Sequence, residues 1–483
     1  MRSIKQILSF CGSPNVRLAF LIAVLACTFF GQLGANLIKF FDDTYHVTMA
    51  HDFAVRGDIF GIQDTLLRTP YFEKPPFMLM LSSLGIKLFG ATSFGARSFI
   101  AFYCLVSVML GYVLLRRDAG ERTAFAASLI AGTTFQILHF SRRVGFDGVL
   151  AASLYIAFLL FFFADRHRSY YLLFGAAIGI AVMTKGVSGI IPLAAVGIYC
   201  LALPNGRARL RDPFLYSSMI TFLAVVLPWH IGMISRHGEV FVRTYFWERQ
   251  LAYFLPGKGS GHGAQIMSAD INFRKIGDTY WPYLPFLLYA VIDTIVRTVR
   301  RKHDGAFSLR WYAVIWIFVI LGLYQLASIK RYAYVLPIYY GMAVLIAAGT
   351  TSWRFGKQIV IGFSIVAAGM AVAAFTPKWK DIDWSGWEEH RPIITELNRT
   401  KTPYALFPLF QIYVQPVMIY DGYAFHAPYF TNVRPGDLEA FYTNGGSIVM
   451  LDRRATNSLP YSIRRSMRVV FDSPIASIIA RAR

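Results

Sequence analysis

Apolar runs near bilayer-spanning length recur along most of this chain, and they leave few folds open. A helix that crosses a bilayer needs about 20 apolar residues, with a range of about 17–25. Candidate spans run near 17–37, 97–115, 123–140, 148–165, 169–184, 186–203, 214–235, 280–298, 310–328, 334–350 and 358–376, about eleven in all. Of the 483 residues, 55% are hydrophobic and 16% aromatic, while only 16% are charged, against about a quarter in ordinary soluble domains. Too little polar surface is available to face water on all sides. The expected fold class is mainly α: a polytopic membrane protein of about eleven transmembrane helices.

The net charge of +21 has a membrane explanation. Lys and Arg collect in cytoplasmic loops and are attracted by an anionic leaflet. The chain carries no nucleic-acid-binding motif and no long basic tail, so nucleic acid is not an expected partner. Cys11, Cys27, Cys104 and Cys200 form neither a CxxC nor a Cys/His cluster, which argues against a disulfide framework or a cysteine-based zinc site. The N-terminal run lacks a small-residue cleavage signal and reads as a retained first span.

Orientation follows from the arginines. With the N-terminus in the cytoplasm, the inner loops carry Arg116, Arg117 and Arg122; Arg166 and Arg168; Arg207, Arg209 and Arg211; Arg297, Arg300, Arg301 and Lys302; and Arg354 with Lys357. That satisfies the positive-inside rule at every turn. It requires residues 77–90, "FMLMLSSLGIKLFG", not to span; at about 14 residues they suit an interfacial or re-entrant helix. Segments 38–96 and 236–279, the loops near 141–147 and 329–333, and everything after about 377 then lie on the outer face. We expect residues 1–376 to form the membrane domain and 377–483 a small outer α/β domain, with strands at "GSIVML" and "MRVVF".

Ionisable groups at membrane depth are costly and mark function by default. Five outer-face groups stand out. Asp42 and Asp43 are adjacent where the chain leaves the first span. Their mutual repulsion tends to raise a pKa, which suits a general base or metal site; a solvated helix start is the plainer reading. In "TPYFEKPPF", Glu73 and Lys74 precede two prolines that suit the first turn of a helix. Lys74 is suited to a lipid phosphate and equally to snorkelling. In "HFSRRVGFDGVL", Arg142, Arg143 and Asp147 oppose the charge rule, either as an anion site or as a loop-fixing ion pair. The long loop carries Arg243, Glu248, Arg249, Lys258 and His262. Its "PGKGSGHG" reads as a flap over a site rather than a P-loop, because the strand–loop–helix context is missing. Lys330 and Arg331 close the set.

Taken in order, "DDTYHVTMA", "GDI", "YFEKPPF", "LFGATSFGARS", Asp147 opening a span, "MTKGVSGIIP", "FWERQ" and "KRYAYVLPIY" resemble the GT-C class of membrane glycosyltransferases over roughly residues 20–350. The resemblance is to bacterial aminoarabinose transferase, which modifies lipid A, and to the protein O-mannosyltransferases. It implies a polyprenyl-phosphate-linked sugar donor presented at the outer face of the bacterial inner membrane, with the C-terminal region in the periplasm. Asp42 takes the position of the family's first acid and Asp43 that of the second, where Asp-Glu is the common pattern. With Asp147, these are the expected catalytic residues. Lys74 takes the place of the family's lysine at the donor phosphate, and Arg142, Arg249, Lys330 and Arg331 are the other expected phosphate contacts. Glu73 and His262 resemble positions that hold a metal in the aminoarabinose enzyme, so a divalent metal ion is the one cofactor the resemblance admits.

The chemistry is coherent on its own terms. A glycosyl phosphate leaves as an anion, which fixed Lys and Arg stabilise, while a carboxylate deprotonates an acceptor hydroxyl. The expected acceptor is lipid A or lipopolysaccharide, with protein as the enzymatic alternative. A lipid or solute transporter is the reading from another class. Transporters, however, place polar groups near the midplane between repeated halves, and no repeat is visible here.

Overall fold

The computed structural model describes residues 13–35, 38, 41–64, 69–251, 270–301, 305–326, 331–376, 378–379, 391–400, 404–407, 439–440, 442–450, 457, 459–472 and 477–481. Helix α1 (Pro14–Phe30) starts at Ser13, whose hydroxyl accepts from the Val16 amide. After it come α2 (Phe41–Arg56), a short antiparallel pair β1 (Gln63–Asp64) and β2 (Thr69–Pro70), and α3 (Phe77–Phe89). The main bundle continues with α4 (Ser93–Asp118), α5 (Glu121–Thr133), α6 (Phe135–Ser141), α7 (Phe146–Phe163), α8 (Ser169–Lys185), α9 (Leu193–Ala202), α10 (Pro204–Arg209) and α11 (Pro213–Phe241). Helix α11 runs on into a π-helical stretch, Val242–Leu251. Then follow α12 (Ile271–Tyr280), α13 (Leu284–Val299), α14 (Phe307–Leu326), α15 (Pro337–Thr350) and α16 (Gly356–Ala373).

This is a multi-pass membrane protein. Among the described residues, seven helices are long and apolar enough to cross a bilayer, or up to nine with each bent pair as one span. The shorter α1 and α9 coincide with two further expected spans. Three spans depart from the straight helices the sequence suggests. The 123–140 run bends by 63° between α5 and α6, where Thr134 is extended. The run at 280–298 is preceded by α12, bent by 110° from α13 across the Pro282 region. The 186–203 run opens as a 3-10 turn, Gly186–Gly189, because Gly186 takes a positive φ of 56°, a conformation that leaves the α-helix.

Helix α3 is short. Its 13 residues rise about 20 Å at 1.5 Å each, short of the roughly 30 Å hydrocarbon core. It starts just after Pro76, which needs no amide partner. It lies close against α4: Ser82 donates to the Ala96 carbonyl at 2.8 Å, and a side chain at Gly85 would run into the Gly95 carbonyl.

Helices α7 and α15 form the centre, with nearly every residue buried. Aromatic stacks fasten them to their neighbours, Tyr155 on Tyr340 at 4.5 Å and Phe158 on Tyr312 at 4.4 Å between centroids. The C-terminal region contains α17 (Arg391–Thr400), β3 (Tyr404–Phe407), β4 (Ser447–Met450), α18 (Tyr461–Ser466), β5 (Met467–Asp472) and β6 (Ser477–Arg481). Its four strands lie in the order β3-β4-β6-β5, with β3 parallel to β4 and the other pairs antiparallel. The two segments read as strands are β4 and β5.

Candidate active site

Contacts between loops sort the charged residues into two groups. One joins Arg17 to Glu121, Arg166 to Asp118, Arg209 to Asp165 and Arg168 to Asp212. These are the arginine-rich turns, and Arg116, Arg117, Arg122, Arg207, Arg211, Arg300, Arg301, Arg354 and Lys357 stand exposed beside them or in the remaining turns of that set. The second group joins the segments that follow α1, precede α3, separate α6 from α7, end α8 and follow α11.

The second group holds three acid–base pairs. The turn Arg142–Gly145 brings Arg143 to Asp43 at the start of α2. The guanidinium meets both carboxylate oxygens at 2.8 Å, a bidentate pair in which Asp43 is 3% and Arg143 5% exposed. The remaining amino group lies 3.0 Å from His139 Nε2. Because arginine only donates, that nitrogen accepts. Next, Asp147 in the first turn of α7 pairs with Lys185, the last residue of α8. The Lys185 ammonium also lies 4.5 Å from the centroid of the Tyr334 ring. Third, Lys74 pairs with Glu73 at 2.6 Å and lies 5.8 Å from the Phe146 ring. The Lys74 ammonium, with smaller help from His46 and Arg249, holds the Glu73 carboxyl down at about 2 despite its desolvation. Lys74 and Arg143 also act electrostatically on Asp147. The pairs therefore form one charged cluster on the ends of α2, α7 and α8 and the loop before α3.

The expected residues divide by what they touch. Asp147, Lys74 and Glu73 belong to this cluster, and Arg249 acts on Glu73 only weakly. Asp43, read beside Asp42 as a second catalytic carboxylate, has both oxygens engaged by the Arg143 guanidinium as a fixed counter-charge. Arg142, read as a phosphate contact, is fully buried and donates to the carbonyls of Thr28, Phe29 and Gly31 at 2.9–3.1 Å. It caps α1, satisfying carbonyls that a helix end leaves without partners. Arg243 and Glu248 pair with each other near the surface. Arg331 is exposed just before the 3-10 turn Tyr332–Val335. The backbone of Asp42 lies in the first turn of α2, but its side chain is outside the described residues, as are Lys258, His262 and Lys330. Among the described residues no three His, Cys, Asp or Glu side chains form a metal-sized group, and Glu73 meets Lys74 instead.

Sequence reasoning gave no role to Lys185, His139 or Gln250. A signal for Lys185 was present: it is a lone lysine within an apolar stretch, and such a residue is a functional candidate. Gln250 closes the quoted "FWERQ", but its partner Glu73 lies 177 residues away, and nothing in the sequence marks His139 as a partner of Arg143.

The geometry can be set beside known proteins. The chain superimposes on the crystal structure of ArnT from Cupriavidus metallidurans bound to undecaprenyl phosphate with a TM-score of 0.75, covering 96% of this chain and 97% of that one at 15% identity. The fold is the GT-C membrane fold. The Archaeoglobus fulgidus oligosaccharyltransferase in its apo form shares it more loosely, with a TM-score of 0.52 over 90% of this chain and 69% of that one, at 14% identity. Residues 73–231 match the family described as dolichyl-phosphate-mannose-protein mannosyltransferase, a segment that includes Glu73, Lys74, Arg143, Asp147 and Lys185. The sequence is also similar to enzymes named undecaprenyl phosphate-alpha-4-amino-4-deoxy-L-arabinose arabinosyl transferase. Identity is 23% with that of Erwinia tasmaniensis, covering 70% of this chain, and 26% with that of Edwardsiella ictaluri, covering 68%. The chain spans about three fifths of the length of these relatives, 61% and 58%. It thus resembles the polyprenyl-phosphate-sugar glycosyltransferases in sequence as well as in fold.

Proposed function

We propose that this protein is an inverting glycosyltransferase of the bacterial inner membrane. It moves a sugar from a polyprenyl-phosphate donor to an acceptor at the periplasmic face, with lipid A or lipopolysaccharide as that acceptor. The observation that carries the reading is the cluster of Lys74 and Lys185 around Glu73 and Asp147, at one end of a fold whose solved relative holds undecaprenyl phosphate. An anionic head group on a long apolar tail suits cations placed at the edge of an apolar bundle.

In the reaction, the acceptor oxygen attacks the anomeric carbon as the bond from that carbon to the phosphate oxygen breaks. Configuration inverts, the hydroxyl proton passes to the Asp42 carboxylate, and the polyprenyl phosphate leaves as an anion. Lys74, Lys185 and Arg249 stabilise the charge that develops on it. Arg143 and Asp43 hold the start of α2, and with it the backbone of Asp42. Residues 377–483 form a separate periplasmic domain in this reading.

The match of residues 73–231 to the protein mannosyltransferase family favours one second reading, a protein hydroxyl as acceptor. Mass spectrometry of lipid A from cells with and without the gene separates the two: a lost lipid A glycoform supports the first, and an unchanged lipid A profile with altered glycoproteins supports the second. Asp42→Asn is expected to lower transfer by about a hundredfold or more, the contribution of a positioned base, while donor binding persists. Near-normal turnover would remove Asp42 from the chemistry.

A further inference from the structure

Gln250 lies at the end of the π-helical stretch, 8% exposed, and both ends of its side-chain amide are used. Its oxygen accepts from the Val187 amide at 3.0 Å, and its nitrogen donates to the Glu73 carbonyl at 3.4 Å. The orientation is fixed by the partners, since a backbone N–H only donates and a carbonyl only accepts. Val187 stands two residues after Lys185, and Glu73 immediately precedes Lys74. One side chain therefore joins the two turns that carry the lysines, and both lysines act on Asp147.

Two further features fit this role. Gly186 adopts a φ of 56°, and a side chain there would collide with the Gln250 amide, so the turn after Lys185 is shaped to admit it. The π-helical stretch is itself anchored by aromatic packing: Tyr245 stacks on Phe241 at 5.1 Å and meets Trp229 edge-on at 5.9 Å. Stretches of π-helix are uncommon and recur at functional sites.

We propose that Gln250 is a positioning residue of the donor site, tying the Lys185 turn to the Lys74 loop and so setting the spacing of the two ammonium groups that meet a polyprenyl phosphate. This rests on the donor reading given above. Gln250 touches neither the sugar nor the phosphate. It acts through the backbone of its two neighbours.

The test is equilibrium binding of undecaprenyl phosphate to the full-length protein in detergent micelles. Gln250→Leu removes both hydrogen bonds at similar volume and is expected to raise the Kd about tenfold, the worth of two ordinary hydrogen bonds. Gln250→Glu keeps the acceptor for Val187 but sets a carboxylate oxygen against the Glu73 carbonyl and adds a negative charge beside the lysines, so its Kd is expected to rise at least as far as that of Gln250→Leu. Gly186→Ala is expected to weaken binding in the unmodified background and to do so less in a Gln250→Ala background, where the collision is gone. Misfolding lowers the amplitude of binding but not the affinity of the folded remainder, so the fitted Kd is the readout. A Gln250→Leu Kd within twofold of the unmodified protein overturns the proposal. An unmodified protein that binds no undecaprenyl phosphate overturns the donor reading itself, and the proposal with it.

Discussion

Two adjacent arginines, Arg142 and Arg143, were open to reading as an anion site or as part of a loop-fixing ion pair, with Arg142 expected at the phosphate, and both are occupied by the protein. The reason is energetic. A guanidinium buried to 5% exposure or less needs partners close by, and a helix end with free carbonyls and a neighbouring carboxylate supply them. Arg143→Ala is expected to destabilise the folded protein by about 3–5 kcal/mol, because it leaves Asp43 buried and uncompensated; thermal unfolding in detergent measures this. Arg143→Lys should recover only part of the loss, since an ammonium cannot match both carboxylate oxygens. A melting temperature unchanged in Arg143→Ala would show that the pair contributes nothing. At this scale the sequence disclosed residue types. It could not disclose the Asp43–Arg143 pairing, which joins positions 100 apart.

Among the elements, α3 was legible as a short apolar helix. Its length and the charge of the later loops both argued against a span, and a 13-residue helix results. What the sequence withheld was how tightly it packs. Because Gly85 lies on the Gly95 carbonyl, Gly85→Val is expected to push α3 from α4 and cost about 1–3 kcal/mol, the usual range for overpacking. Faster proteolysis near residues 77–90 would report the separation, and wild-type resistance would contradict it. The bends at α5–α6 and α12–α13 were not legible either. Hydropathy over a window registers an apolar run but not one extended residue such as Thr134. Two of the four strands of the C-terminal sheet, β4 and β5, could be read because β-branched runs such as those in "GSIVML" are flanked by turn residues, whereas the parallel pairing of β3 with β4 depends on contacts far apart in sequence.

For the molecule as a whole, the sorting of charges makes a prediction about sidedness. In a cysteine-free background, single cysteines at Thr92 and at Arg301 should respond oppositely to a membrane-impermeant maleimide in whole cells, with Thr92 labelled and Arg301 protected. Equal labelling would undo the assigned orientation. The run of apolar helices was readable because hydropathy is a one-dimensional property of the chain. The site was only partly readable because it is assembled from distant pieces, and that has a consequence for how the protein is made. Synthesis delivers Asp43 long before Arg143, then Asp147 before Lys185, and finally Gln250, 177 residues after the Glu73 carbonyl it meets. Non-local contacts form late because their loop entropy must first be overcome. A chain arrested before residue 242 would hold the three ion pairs but lack the final tie between them, so the cluster matures from its core outward as translation proceeds.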